Sequence, residues 1–197
     1  VSLTSTISNC NATTLSLGNY TFNAGTSYTV AAVTKLPNGS SDNNTANDSL
    51  TFTACPGLSG TYTINPSGSG STNFTSFTNA VNAMNCGGVA GPVTFKVADG
   101  TYTEQVILSS ITGASASNRI TFTSNSNDST KVTLQFNATS TNYVINLNSA
   151  SYVTIKKMTI APLSASLGVG VSFTGLPTYD SIANCRFIGL PTSSNTS

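Results

Sequence analysis

Two carboxylates stand five residues apart, Asp99 and Glu104. Acid–base chemistry on a glycan needs such a pair, or a carboxylate with a Lys or Arg, facing one cleft. Asp99 is followed by Gly100, and Asp-Gly is a strong turn signal, so the pair reads as structural. Lys156, Lys157, Arg119 and Arg186 are cations that an acidic polysaccharide could meet. Isolated surface cations contribute little by themselves, and Lys157 reads as a solvated bend. The run Asp42-Asn43-Asn44-Thr45-Ala46-Asn47-Asp48 offers oxygen ligands suited to calcium, but it lacks the central Gly and closing Glu of an EF-hand loop. Asn and Asp also make turns by bonding their own backbone, so no metal is assigned. Thr-x-Thr pairs recur at Thr51/Thr53, Thr61/Thr63, Thr101/Thr103 and Thr121/Thr123. Aligned on a flat face, such pairs can bind ice. Their spacings share no single repeat length, so solvent-facing threonines on ordinary strands are expected.

Composition narrows the function further. Seven Lys and Arg face six Asp and Glu, and the net charge is +1. Nucleic-acid binding requires a cationic footprint and is excluded as an expectation. Polarity comes instead from Ser, Thr and Asn, which make up 84 of the 197 residues. No apolar run is long enough to span a membrane. The absence of His removes every His-dependent triad.

Cys10, Cys55, Cys86 and Cys185 form no CxxC pair, so a zinc site is not expected. Four cysteines in a Thr- and Asn-rich chain suggest an oxidising compartment. A Cys10–Cys55 bridge is the expected pairing, between two strand ends of one small domain. Cys86 and Cys185 are left either as buried thiols or as a second bridge.

These residues must be carried by β structure. In residues 1–56, Tyr20 and Phe22, then Tyr28, Val30 and Ala32, then Leu50, Phe52 and Ala54 alternate with polar neighbours. That period predicts antiparallel strands with one buried face, about four of them, with a turn at Leu36-Pro37-Asn38-Gly39. The opening Val1-Ser2-Leu3-Thr4-Ser5-Thr6-Ile7 already has a strand pattern, so the chain is expected to be cut from something longer. One helix is predicted, N-capped by Thr75 or Ser76. Its apolar stripe is Phe77, Ala80, Val81 and Met84, and Gly87-Gly88 ends it. From Val93 onward short strands follow one another without helices: Val93–Val97, Tyr102–Leu108, Arg119–Thr123, Val132–Phe136, Tyr143–Leu147, Tyr152–Ile155, Met158–Ile160, Val169–Phe173 and Ile182–Phe187. An offset of 27 superposes Ile155, Lys157, Met158 and Ile160 on Ile182, Asn184, Cys185 and Phe187, as stacked coils would. An offset of 21 superposes Val132 and Leu134 on Val153 and Ile155.

Two resemblances attach to these patterns. Tyr20 to Val30, Leu36-Pro37-Asn38-Gly39 and Asp42 to Asp48 resemble half of an adhesion-type immunoglobulin-like repeat of bacterial surface proteins. Gly60-Thr61-Tyr62-Thr63-Ile64, Phe74 to Val81 and Gly91 to Glu104 are similar to the amino-terminal cap and first coil of pectin-lyase-like β-helix domains. Ser151 to Ile160 is similar to an inner coil of that family. The resemblance implies an all-β chain, with a partial immunoglobulin-like β-sandwich over 1–56. A right-handed parallel β-helix with an N-terminal capping helix would then fill 57–197. It places Glu104 in the cap motif and puts catalytic coils, where the family has them, further along than Ser197. Such domains occur in polysaccharide lyases and hydrolases and in large type IX-secreted adhesins of the Bacteroidota kind. Asp48-Ser49-Leu50, Asp128-Ser129-Thr130 and Asp180-Ser181-Ile182 match the triplet that receives O-glycans in such proteins, which makes Ser49, Ser129 and Ser181 candidate acceptors.

The expected function is a non-catalytic stalk or adhesin segment of an extracellular or cell-surface protein. Glycans or surfaces and the neighbouring domains of the same chain are its expected partners, with no catalytic residue, cofactor or metal. A β-helix lyase or glycoside hydrolase, or a filament subunit, is the alternative.

Overall fold

The computed structural model describes residues 19–24, 26–33, 44, 46, 48–164, 166 and 168–189. Two strands, β1 (Tyr28–Val33) and β2 (Ser49–Ala54), form an antiparallel pair. Tyr28 faces Ala54, Val30 faces Phe52 and Ala32 faces Leu50, so the alternating apolar residues share one side of the ribbon. Tyr20 and Phe22, expected on a strand, lie outside regular structure and pack edge-on against Tyr28 and each other. The Leu36–Gly39 turn and most of the Asp42–Asp48 run lie outside the described residues.

Beyond Pro56 every strand pairing is parallel. The elements are β3 (Leu58–Ile64), β4 (Asn73–Phe74), α1 (Phe77–Gly87), β5 (Val89–Val97), β6 (Gly100–Thr103), β7 (Val106–Leu108), β8 (Ile120–Ser124), β9 (Val132–Phe136) and β10 (Ile145–Asn148). They continue as β11 (Val153–Lys156), β12 (Thr159–Pro162), β13 (Val171–Thr174), β14 (Ser181–Ala183) and β15 (Arg186–Phe187). Three sheets result, ordered β14-β11-β8-β5-β3-β4, β15-β12-β9-β6 and β13-β10-β7. The chain visits them in the same order on each circuit: β5-β6-β7, then β8-β9-β10, then β11-β12-β13, then β14-β15.

The inward residues of successive circuits meet in register. Tyr62, Phe95, Phe122, Ile155 and Ile182 form one such column. Phe95 and Phe122 stack at 4.7 Å and both are buried. Burying side chains of this size contributes about 1.5–3 kcal/mol each. An internal gap of about 10 Å³ beside Phe77, Leu108, Phe122 and Met158 has room for one water at most.

The other two sheets have no strand at the level of β3, and α1 packs there against β3, β4 and β7. Phe77, Ala80, Val81 and Met84 are its buried stripe, as the spacing predicts. Ser76 is the N-cap, its Oγ accepting from Asn79 N at 3.0 Å. Gly88, at φ +69°, closes the helix, and its N–H donates to the Met84 carbonyl.

Several expectations are corrected. Cys55 is bonded to Cys86, with the Cα atoms 5.6 Å apart, and so not to Cys10, which lies outside the described residues. The cause is topological: β2 ends at Ala54, and Gly87 packs tightly against the Cys55 and Pro56 carbonyls, so the end of α1 meets the end of β2. Cys185 is a free, half-buried thiol. The offset of 27 is the register of β11 with β14 and of β12 with β15. The offset of 21 is wrong: β11 lies on β8, with Val153 beside Ile120, while Val132 and Leu134 belong to a different sheet. The stretches Tyr102–Leu108 and Ile182–Phe187 are each two strands around a corner.

Candidate functional site

The outer face of the six-stranded sheet carries three rows of side chains in register. They follow from strand alternation, because every second residue of β3, β5, β8, β11 and β14 points away from the core. The middle row is Thr61, Thr94, Thr121, Thr154 and Ser181, each in register with the next. Thr61 and Ser181 are exposed and the others half-buried. The second row is Thr63, Lys96, Thr123, Lys156 and Ala183. Lys96 and Lys156 flank Thr123 and have no hydrogen bond or ion pair among the described residues.

The third row lies where the chain enters the strands. Tyr152 precedes β11, and Tyr179 takes the equivalent place one circuit on, fixed by the Ser151–Thr178 bridge. Their rings are parallel within 9° at 5.0 Å. Both backbones are left-handed, with φ 62° and 58°, which turns the chain at this corner. Arg119 holds the same place before β8. Its guanidinium lies 6.0 Å over the Tyr152 ring, and Nη2 donates to the Tyr179 carbonyl at 2.8 Å and to Thr154 Oγ1 at 3.2 Å. Tyr179 is 70% exposed and lies on the last described circuit.

Asp180 buttresses this corner. Its Oδ1 accepts from Val153 N at 2.8 Å, while Oδ2 is buried with no partner among the described residues. Burial pushes its carboxyl above the usual range, against the lowering effects of the Val153 N–H and of Arg119. Asp128 is the opposite case: bonds from Thr130 N and Oγ1 hold its carboxyl below that range.

The paired carboxylates have separate surroundings. Glu104 sits in the bend between β6 and β7, and its oxygens accept from Phe77 N, Thr78 N and Thr78 Oγ1 at 2.7–3.0 Å. It therefore ties the start of α1 to the first circuit. Asp99 is an exposed residue in the bend before Gly100, whose φ is 153°. Lys157, at φ 55°, is the bend residue equivalent to Asn184, and its Nζ bonds Asn127 Oδ1. Arg186 is exposed at the start of β15. Ser49 and Ser181 are exposed, and Ser129 is half-buried with its carbonyl accepting from Thr159 Oγ1. Among the described residues no three His, Cys, Asp or Glu side chains gather, and no helix is long and apolar enough to cross a membrane. A cleft of about 370 Å³ beside the Cys55–Cys86 bridge, lined also by Phe74, Asn79 and Asn82, presents no acid or base.

The Thr pairs form no regular ladder, as expected: Thr51/Thr53 and Thr101/Thr103 lie on other sheets, and only Thr61/Thr63 and Thr121/Thr123 share this face, where a single hydroxyl row runs through unequal spacings. Its spacings are 33, 27, 33 and 27 residues, from Thr61 to Thr94 through α1 and then by full circuits to Thr121, Thr154 and Ser181. Strand pairing sets the register, and the corners absorb the difference in length. The signal was present in the sequence as a polar residue between two inward apolar residues of each strand. Comparison with protein-family models, curated proteins and solved structures finds no match.

Proposed function

We propose that this chain is a non-catalytic segment of a large secreted cell-surface protein, acting as stalk and adhesin. In this reading residues 57–197 are the cap and first coils of a right-handed parallel β-helix, and residues 1–56 are part of an immunoglobulin-like module. The three visits per circuit and the helix over the first circuit support the β-helix reading. Stiffness would follow from a backbone ladder and an apolar interior continuous between circuits. The protein would work outside the cell, where Cys55–Cys86 stays oxidised. The type IX-secreted adhesin likeness, and with it O-glycans at Ser49, Ser129 and Ser181, belongs to the same proposal.

The observation that carries glycan contact is the outer face of the six-stranded sheet. It sets a tyrosine stack beside a row of neutral hydroxyls, the two group types that meet the apolar face and the edges of a sugar ring. A glycan-array screen of the purified chain, run beside a cleavage assay on acidic polysaccharides, tests it. Binding without cleavage is the expected result. Cleavage would overturn the non-catalytic reading in favour of a lyase or hydrolase.

A further inference from the structure

Resting on the glycan-contact reading, we infer that the ligand of this face is a linear polysaccharide lying across the strands, with an anionic group on every second sugar. The direction follows from the rows. A ligand running along one strand would meet a different side chain at each step. One running across the strands meets a threonine hydroxyl at each of four successive strands, Thr61, Thr94, Thr121 and Thr154. Neighbouring strands lie about 4.8 Å apart. An extended pyranose chain advances by a similar distance per sugar, so each sugar would find one hydroxyl.

The charge period follows from the neighbouring row. Lys96 and Lys156 stand two strands apart with Thr123 between them, which puts this pair of cations about 10 Å apart. Neither ammonium has a hydrogen bond or ion pair among the described residues. A carboxylate or sulfate once per disaccharide would meet both. A neutral chain leaves both unpaired. A chain charged at every sugar sets one anion against Thr123, which is buried between the lysines and has no charge to offer. The rim on the other side is Arg119, Tyr152 and Tyr179, whose stack runs in the same direction. The lysines also make the face unsuited to a flat crystalline surface such as ice, because they interrupt the row beside the hydroxyls with charge.

Isothermal titration with three hexasaccharides tests the period: a hyaluronan hexamer, carboxylated on alternate sugars; a galacturonate hexamer, carboxylated on all; and cellohexaose, on none. The expected order puts the alternating hexamer tightest and cellohexaose about tenfold weaker. K96A and K156A each weaken the alternating hexamer, and the double variant binds it no better than cellohexaose. Both side chains lie outside the core column, and circular dichroism confirms that the variants fold. If all three hexamers bind equally and the lysine variants change nothing, the charge period is wrong while glycan contact stands. Tighter binding of the galacturonate hexamer than of the alternating one would likewise overturn the period. Failure of all three to bind would overturn the inference together with the glycan-contact reading beneath it.

Discussion

Tyr152 and Tyr179 stack face to face across 27 residues of chain, each held at a left-handed backbone corner before its strand. In the glycan-contact reading Tyr179 belongs to the ligand face, so its loss should act on binding as well as on folding. Tyr179→Ala is expected to cost about 0.5–1.5 kcal/mol of stability, the value of one aromatic pair. Glycan affinity should fall about tenfold, the value of one lost stacking contact of about 1.4 kcal/mol. Denaturant titration and calorimetric binding measured on one preparation separate the two effects.

The inward column should behave in the opposite way. Phe95 is fully buried and packs against Tyr62, Phe74 and Phe122. Phe95→Ala is expected to destabilise by about 3–5 kcal/mol. Its sequence neighbour Thr94 faces outward, and Thr94→Ser should change stability by less than about 0.5 kcal/mol. Equal losses at the two positions would contradict the assigned faces.

Glu104 fastens the start of α1 through Phe77 N, Thr78 N and Thr78 Oγ1. Removing a carboxylate from a helix start costs about 1–2 kcal/mol. Glu104→Ala should therefore lower stability by that amount. In hydrogen exchange, the amides of Phe77 and Thr78 should lose protection before those of β8.

Two aspartates set opposite pH dependences. The Asp180 carboxyl is raised in the folded state by burial, so the native state binds its proton more tightly than the unfolded chain does. Its contribution is complete below the ordinary carboxylate range and fades as pH rises through the raised value. The Asp128 carboxyl is lowered by its bonds from Thr130, so its contribution is present above the ordinary range and fades as pH falls. In thermal melts from pH 3 to pH 7, Asp180→Asn should remove a loss on the rising side, and Asp128→Asn a loss on the falling side.

The bridge between Cys55 and Cys86 closes a loop spanning 31 residues. On the chain-entropy account this restrains the unfolded state by roughly 3–4 kcal/mol. Cys55→Ser with Cys86→Ser should lower stability by about that much. Peptide mapping of the unreduced protein should join these two cysteines, and a Cys10–Cys55 peptide would contradict the pairing.

How much of this was legible depended on which force sets each feature. The helix could be read because Ser76, the Phe77 to Met84 stripe and Gly88 act within a few residues of one another. The offset of 27 was legible because the two corners beyond β11 and β14 have equal length, with Lys157 and Asn184 in the same left-handed bend. The partner of Cys55 was not, because it depends on where α1 ends in space. The row from Thr61 to Ser181 was missed for a related reason: hydrogen bonding between strands sets its order, and the number of residues between them does not.

The alternation of 27- and 33-residue spacings along one unbroken row separates what can vary from what is held fixed. Residues can be added or lost at a corner such as 113–118 without moving any hydroxyl on the face. Descendants of this chain could therefore drift in length and lose all visible periodicity while presenting the same lattice to their surroundings. Kinship among such proteins would be better sought by superposing outward rungs than by aligning letters.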